Sequence, residues 1–326
     1  ASADPTGLVD VRTFEYSDEL LDLAGVRRDQ LPALMAPGSV IGGVTEMAAE
    51  LTGLPAGTPV VAGAGDGQSA GLGAAVCVSG VAYLNLGTSV TLGVHGDRYQ
   101  VGRAYRSMDS PIAGRWTLEA ALASGVHSLD WFRERVLGDT SEAALARLEA
   151  QAAEVSAGAD GLLFLPYLIR AETPHWDPDA RGAWIGLREH HGLGHMYRAA
   201  LEGIAYEQLM VLSMIEADTG VRAERVRLMG GGANSALWVQ MIADVFERPV
   251  EVTAHTDTTA LGTAVLAAAA VGMDGTRDVV ATAERMSTGW RSIEPRDADR
   301  ETYRRRFRTY QQLYPALTSV FGQLAD

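Results

Sequence analysis

Residues 59–71 read Pro59-Val60-Val61-Ala62-Gly63-Ala64-Gly65-Asp66-Gly67-Gln68-Ser69-Ala70-Gly71. The run at 59–62 predicts a strand, the glycines at 63–67 a tight turn, and the small residues after them a helix. A carboxylate at a strand-to-helix junction, flanked by glycines, lets backbone approach a ligand closely and exposes Asp66 as a candidate general base. The same residue also reads as the cap of a helix beginning at Ser69, and local sequence favours that use. Further along, strand-type runs keep alternating with helical ones, which argues for an α/β fold.

Working outward, Val81–Leu86 and Val90–Val94 flank Gly87-Thr88-Ser89 and predict a hairpin. Its turn offers backbone N–H groups and hydroxyls converging on one point, a phosphate nest without a cation, although an ordinary β-turn uses the same residues. Val226–Met229 predicts a short strand entering Gly230-Gly231-Gly232-Ala233-Asn234-Ser235 and then a helix over 237–246. Glycines there permit close approach of a nucleotide or simply a tight turn, and the G-x-G-x-x-G spacing of dinucleotide folds is absent. A long helix is predicted from about His195 to Ala217, helices over 140–155 and 258–271, a strand over 249–252, and one final helix over 299–321. Gly67-Gln68-Ser69-Ala70-Gly71 fits the G-x-S-x-G nucleophile elbow, making Ser69 a candidate hydrolase serine. No HGGG-type segment precedes it, and such matches arise by chance among 36 glycines. His190, His191 and His195 lack the pattern of a zinc site and read as solvated loop residues. Arg304-Arg305-Arg306 reads as the solvated face of an amphipathic helix.

Composition narrows the chemistry. All 27 basic residues are arginine, against 41 acidic ones, for a net charge of −14. A chain without lysine by itself makes no P-loop NTPase, protein kinase or Schiff-base enzyme. Its acidity argues against a nucleic-acid binder. The length of 326 residues suggests two domains. The single Cys77 and the lack of a long apolar run point to a cytoplasmic protein without a membrane span.

The pattern Gly182-Ala183-Trp184-Ile185-Gly186-Leu187, followed by His195-Met196 and Ala199-Ala200-Leu201-Glu202, resembles the second signature of the FGGY carbohydrate kinases. Asp177-Pro178-Asp179-Ala180-Arg181 before it is also typical of that family. The Gly-Asp turn at 63–67, the Gly-Thr-Ser turn at 87–89, the triple glycine at 230–232 and Ala260-Leu261-Gly262 occur in the family's order. The opening Leu8–Arg12 and Ser17–Leu21 look like its mid-chain segment.

The resemblance implies an actin-like, RNase H-like α/β fold whose two domains bind ATP between them and phosphorylate a sugar. It gives Asp66 the role of base, with Gln68 as a sugar contact. Thr88 falls in the second phosphate loop, and Gly186, Gly231, Gly232 and Ser235 fall at the nucleotide. The cofactors implied are ATP and Mg²⁺; the partners are a small sugar and a homodimer mate, with no nucleic acid or membrane. The Asp-Pro-x-Ala-Arg-Gly and Gly-Gly-Gly-Ala-Asn-Ser segments are most similar to xylulokinase-type members, so a ketose such as xylulose leads, ahead of a hexulose, gluconate or polyol. Two departures stand out. The family's N-terminal Asp-x-Gly-Thr loop is absent, so residues 1–77 are expected to be the end of domain I, lacking most of it, and 78–326 domain II. This chain alone is then expected not to turn over substrate, and a noncatalytic nucleotide-binding module is an alternative. The other departure is Gly67, which follows Asp66 where the family usually carries Gln or Asn.

Overall fold

The computed structural model describes residues 3–253, 255 and 257–325. Two small antiparallel pairs come first, β1 (Val9–Asp10) with β2 (Glu15–Tyr16) and β3 (Val40–Gly43) with β4 (Pro59–Val61). α1 (Asp18–Ala24) separates the pairs and α2 (Glu46–Thr52) connects β3 to β4; they are capped by the side-chain oxygens of Ser17 and Thr45 and closed by left-handed Gly25 and Gly53. Next, α3 (Asp66–Gly73) leads into β5 (Val81–Leu86), β6 (Val90–Gly96), β7 (Arg106–Asp109) and β8 (Trp116–Leu122). Helices α4 (Gly125–Trp131) and α5 (Glu142–Glu154) follow, then the hairpin of β9 (Leu163–Leu165) and β10 (Ala183–Ile185). The chain continues through α6 (Leu193–Thr219), β11 (Arg225–Met229), α7 (Ala236–Phe246), β12 (Val250–Thr253) and α8 (Thr258–Val271). It ends with α9 (Val279–Met286), β13 (Trp290–Ile293), α10 (Arg300–Tyr310) and α11 (Leu313–Gln323).

Seven strands form one mixed sheet in the order β13-β12-β11-β5-β6-β8-β7. β5 runs parallel to β11 and β11 to β12, while β5, β6, β8 and β7 form an antiparallel succession. Alternation along β5 divides its side chains between two covered faces. Ala82, Leu84 and Leu86 join the large core with α5, α6, α7 and α10, whereas Val81 and Tyr83 face Ala70 and Val76 on the α3 side. The result is three layers, with the sheet between helices.

The single helix expected over 299–321 is two, α10 and α11, separated at Gln311-Gln312. Pro315 supplies the reason: it has no N–H to give the carbonyl of Gln311, yet it fits the first turn of a new helix.

On the α3 side, two helices pack backbone to backbone. A Cβ on Gly73 would stand 1.9 Å from the carbonyl oxygen of Thr258, and one on Gly262 would stand 1.9 Å from that of Ser69. These two glycines let α3 and α8 touch main chain to main chain, which fixes where α3 begins. Gly262→Ala forces the helices apart and is expected to cost about 1–3 kcal/mol or more, read as a lowered urea midpoint.

On the other face, α6 carries two fully buried carboxylates. Glu202 accepts from Arg198 Nε (2.8 Å) and from the backbone N–H of Gly158 (3.0 Å). Glu207 accepts from the hydroxyls of Tyr167 (2.8 Å) and Tyr310 (2.6 Å), tying α6 to the segment after β9 and to α10. Burial pushes both carboxyls up to about 7, against the opposing pull of these partners. An unfolded chain sheds these protons near 4.5, so stability from these groups is full below that pH and falls as pH rises toward 7. Glu207→Gln keeps the shape without the charge. Its stability relative to wild type is expected to rise between pH 5 and 8 by on the order of 3 kcal/mol. Urea melts at both pH values test this, and a pH-independent difference rejects it.

Candidate active site

α3 begins at Asp66, its N-cap is Gly65, and no side chain caps it. Asp66 is therefore no cap. It is exposed in the first turn, where its Oδ1 accepts the N–H of Gly67 (2.8 Å). Asp66 opens on a cavity of about 480 Å³ whose wall includes Asn85, Ser89, Arg106, Glu119 and Arg170.

The floor of that cavity is the α3-facing side of the sheet. Register places Tyr83, Gly93, Glu119 and Arg106 in one row across β5, β6, β8 and β7, and Asn85, Thr91 and Ala121 in the next. In the first row Glu119, only 3% exposed, accepts the Tyr83 hydroxyl at 2.6 Å and Arg106 Nη2 at 2.9 Å. Burial raises its pKa, with the Tyr83 and Arg106 bonds pulling the other way. Three glycines make room for the row. A Cβ on Gly93 would lie 2.2 Å from the Tyr83 ring and one on Gly71 2.9 Å from it, while one on Gly67 would lie 2.3 Å from Glu119 Oε2. Gly67 is thus glycine because Glu119 fills the space of its side chain. The roof is pinned to the sheet: Thr173 Oγ1 accepts the N–H of Ala121 (2.9 Å) and donates to its carbonyl (3.0 Å). Ser124 Oγ accepts the N–H of Ile169 (2.9 Å), and Arg170 pairs with Glu172 at 2.7 Å.

The predicted residues divide. The turn at 87–89 lies beside the cavity with Thr88 and Ser89 exposed. The carbonyls of Gly87 and Thr88 accept N–H groups of Val126 and His127, so the turn sits on the start of α4. The triple-glycine turn meets it: a Cβ on Gly230, at φ +82°, would stand 2.6 Å from Asn85 Oδ1, and one on Gly232 2.7 Å from the Leu86 side chain. Gly231 faces open space. Ser235 caps α7, its Oγ accepting the N–H of Trp238 at 3.2 Å. Gly186, at φ +97°, stands apart against the carbonyl of Gly161, 2.7 Å from its missing Cβ. Gln68 turns inward beneath Gly65 and does not line the Asp66 cavity.

Other readings need correction. Ser69 is 0% exposed and its Oγ has no hydrogen-bond partner, so it is no hydrolase nucleophile. His191 and His195 are not loosely solvated: their Nδ1 atoms accept the N–H groups of Arg188 and Gly192. Arg304 and Arg305 are exposed on α10 as the solvated-face reading expects, whereas Arg306 packs against Gly158 and Gly161. Among the described residues no group of three or more His, Cys, Asp or Glu is arranged to hold a metal, and no helix is long and apolar enough to cross a membrane. Sequence reasoning missed Tyr83, Arg106 and Glu119. Only the strand register unites them, and β7 and β8 were not predicted.

The antiparallel succession extended by two parallel strands defines an actin-like ATPase fold of the RNase H type. The chain belongs to the FGGY family of carbohydrate kinases: the model of the family's C-terminal domain matches residues 82–271, and that of its N-terminal domain matches residues 1–73. It is 30% identical to gluconokinase from Bacillus licheniformis over 333 residues, covering 99% of this chain and 64% of that protein. To xylulose kinase from Escherichia coli K12 it is 32% identical over 324 residues, covering 95% of this chain and 63% of that protein. Among solved structures, xylulose kinase from Rhodospirillum rubrum superposes with a TM-score of 0.86 at 32% identity, over 98% of this chain and 63% of that one. The chain thus spans under two thirds of these relatives' length. The N-terminal-domain model matches residues 1–73, so the expectation that most of that domain is lacking is not borne out. The comparisons also give no support to the expectation that this chain alone fails to turn over substrate.

Proposed function

We propose that this chain takes part in ATP-dependent phosphorylation of a sugar hydroxyl, with Asp66 as general base. The observation that carries the reading is the exposed Asp66 carboxylate at the head of α3, opening on a cavity it shares with Ser89 of the hairpin turn. Asp66 takes the proton of the attacking hydroxyl, a transfer that contributes roughly 10²–10⁴-fold. The Thr88 turn binds phosphate through backbone N–H groups and hydroxyls, so no lysine is required. Gly231, Gly232 and Ser235 receive the nucleotide, where open space beside Gly231 and the start of α7 suit an anion. Gly186 is assigned to the same ligand by family pattern. Gln68, turned inward, supports the Asp66 turn in place of touching the sugar. Mg²⁺, when bound, neutralises charge on the phosphates. Among the described residues no protein metal cage is arranged, and the exposed oxygens of Asp66, Thr88 and Ser89 would hold such an ion together with nucleotide and water. Residues 1–77 are assigned to the end of the first domain and 78–326 to the second.

The sugar is proposed to be a ketose such as xylulose, supported by the xylulose kinase relatives. A second reading, gluconate, is favoured by Arg106 and Arg170 on the cavity wall, since guanidinium groups suit a carboxylate. An ADP-release screen of the full-length protein against xylulose, gluconate and glycerol decides between them, and silence with all three counts against a kinase. Asp66→Asn is expected to lower turnover about 10²–10⁴-fold while ADP binding holds; undiminished turnover removes Asp66 from its role.

A further inference from the structure

We infer that Arg106 is a further substrate-binding residue, held in the sugar site by the buried Tyr83–Glu119 pair. This rests on the reading of the Asp66 cavity as the sugar site. Arg106 is on the edge strand β7, half-exposed, and lines the same cavity as Asp66. An exposed arginine ordinarily sweeps many rotamers, and a surface ion pair restrains it weakly. Here the partner is no surface group. Glu119 is buried and fixed from its far side by the fully buried Tyr83 hydroxyl.

The geometry around this pair is built for it. Gly71 and Gly93 are open to the Tyr83 ring, and Gly67 is open to the Glu119 carboxylate. Burying a carboxylate opposes folding unless its partners repay the lost hydration, and an apolar replacement in such a place is often neutral or stabilising. Stability alone therefore does not account for a buried acid that aims one oxygen at a half-exposed guanidinium. Positioning does. Glu119 Oε1 engages Arg106 Nη2, and a guanidinium carries several N–H donors and no acceptor. Its remaining donors meet acceptor oxygens of whatever fills the cavity beside Asp66: sugar hydroxyl, carbonyl or carboxylate oxygens. Glu119 is a positioning residue acting through Arg106, and Tyr83 acts through Glu119.

The test is steady-state kinetics of the full-length protein, using whichever of xylulose and gluconate it phosphorylates. Arg106→Gln and Glu119→Gln are each expected to raise the sugar KM about tenfold or more. The ATP KM and the unfolding midpoint should hold. Because the two side chains act as a unit, the double variant is expected to be no worse than the poorer single one. Tyr83→Phe, which keeps the buried ring and removes only the hydroxyl, is expected to raise the sugar KM by a smaller factor. An unchanged sugar KM in Arg106→Gln overturns the inference. So do additive effects in the double variant, or a parallel loss of sugar KM, ATP KM and midpoint, the signature of a purely structural pair. If no sugar is phosphorylated, the kinase reading itself falls; if Asp66→Asn retains full transfer, the placing of the sugar site at Asp66 falls; if that variant is inactive while Arg106→Gln binds sugar normally, only this inference does.

Discussion

The site depends on the main-chain contact between α3 and α8. Helices usually pack with side chains between them at interaxial distances of 8–10 Å. At Gly73 and Gly262 there is no room for even a methyl group, because each faces a carbonyl oxygen of the other helix. That contact seats α3 against the sheet face bearing Tyr83 and sets the height of its first turn. Asp66 and Gly67 are in that turn, so the place of the candidate base follows from two missing side chains, one at Gly73 about two turns down α3 and one at Gly262 on α8. The contact also explains why α8, Thr258 to Val271, is rich in small residues, and Thr259 at its start reaches the cavity wall.

A second constraint follows from the first. With α3 this low, little space remains between Gly67 and the sheet, and the row Tyr83–Gly93–Glu119–Arg106 fills it. Antiparallel register puts those four residues side by side from four strands, and each cross-strand step brings neighbouring side chains within reach. The departure at Gly67 and the buried Glu119 are thus one feature: a side chain at 67 and a carboxylate at 119 compete for the same volume. The opposite face of the sheet has a different task. There Glu202 and Glu207 anchor α6 by charged hydrogen bonds to Gly158, Arg198, Tyr167 and Tyr310. In the family signature, Glu202 is therefore an internal strut and not a cavity group.

The local elements were legible because their signals are local. The hairpin around Gly87-Thr88-Ser89 needs only its turn and flanking strands, and the strand over 226–229 only its own short apolar run. β8 was not legible: Trp116–Leu122 carries the charged Glu119 amid an apolar run, which breaks the pattern of a strand even though a turn at 112–115 leads into it. Reading the last helices as one failed where a missing N–H at Pro315 outweighed continuous amphipathic spacing. Asp66 was found and its setting was not, since a capping aspartate and an aspartate in the first turn share the same flanking glycines.

The sequence by itself determined the alternation of strands and helices, the order of the glycine turns and hence the family, because these rest on residues adjacent in the chain. The tertiary structure alone decided that Ser69 is buried and that Arg106 and Glu119 stand beside Asp66. Each of those outcomes depends on distances between residues remote in sequence, set by strand register and by how closely two helices approach.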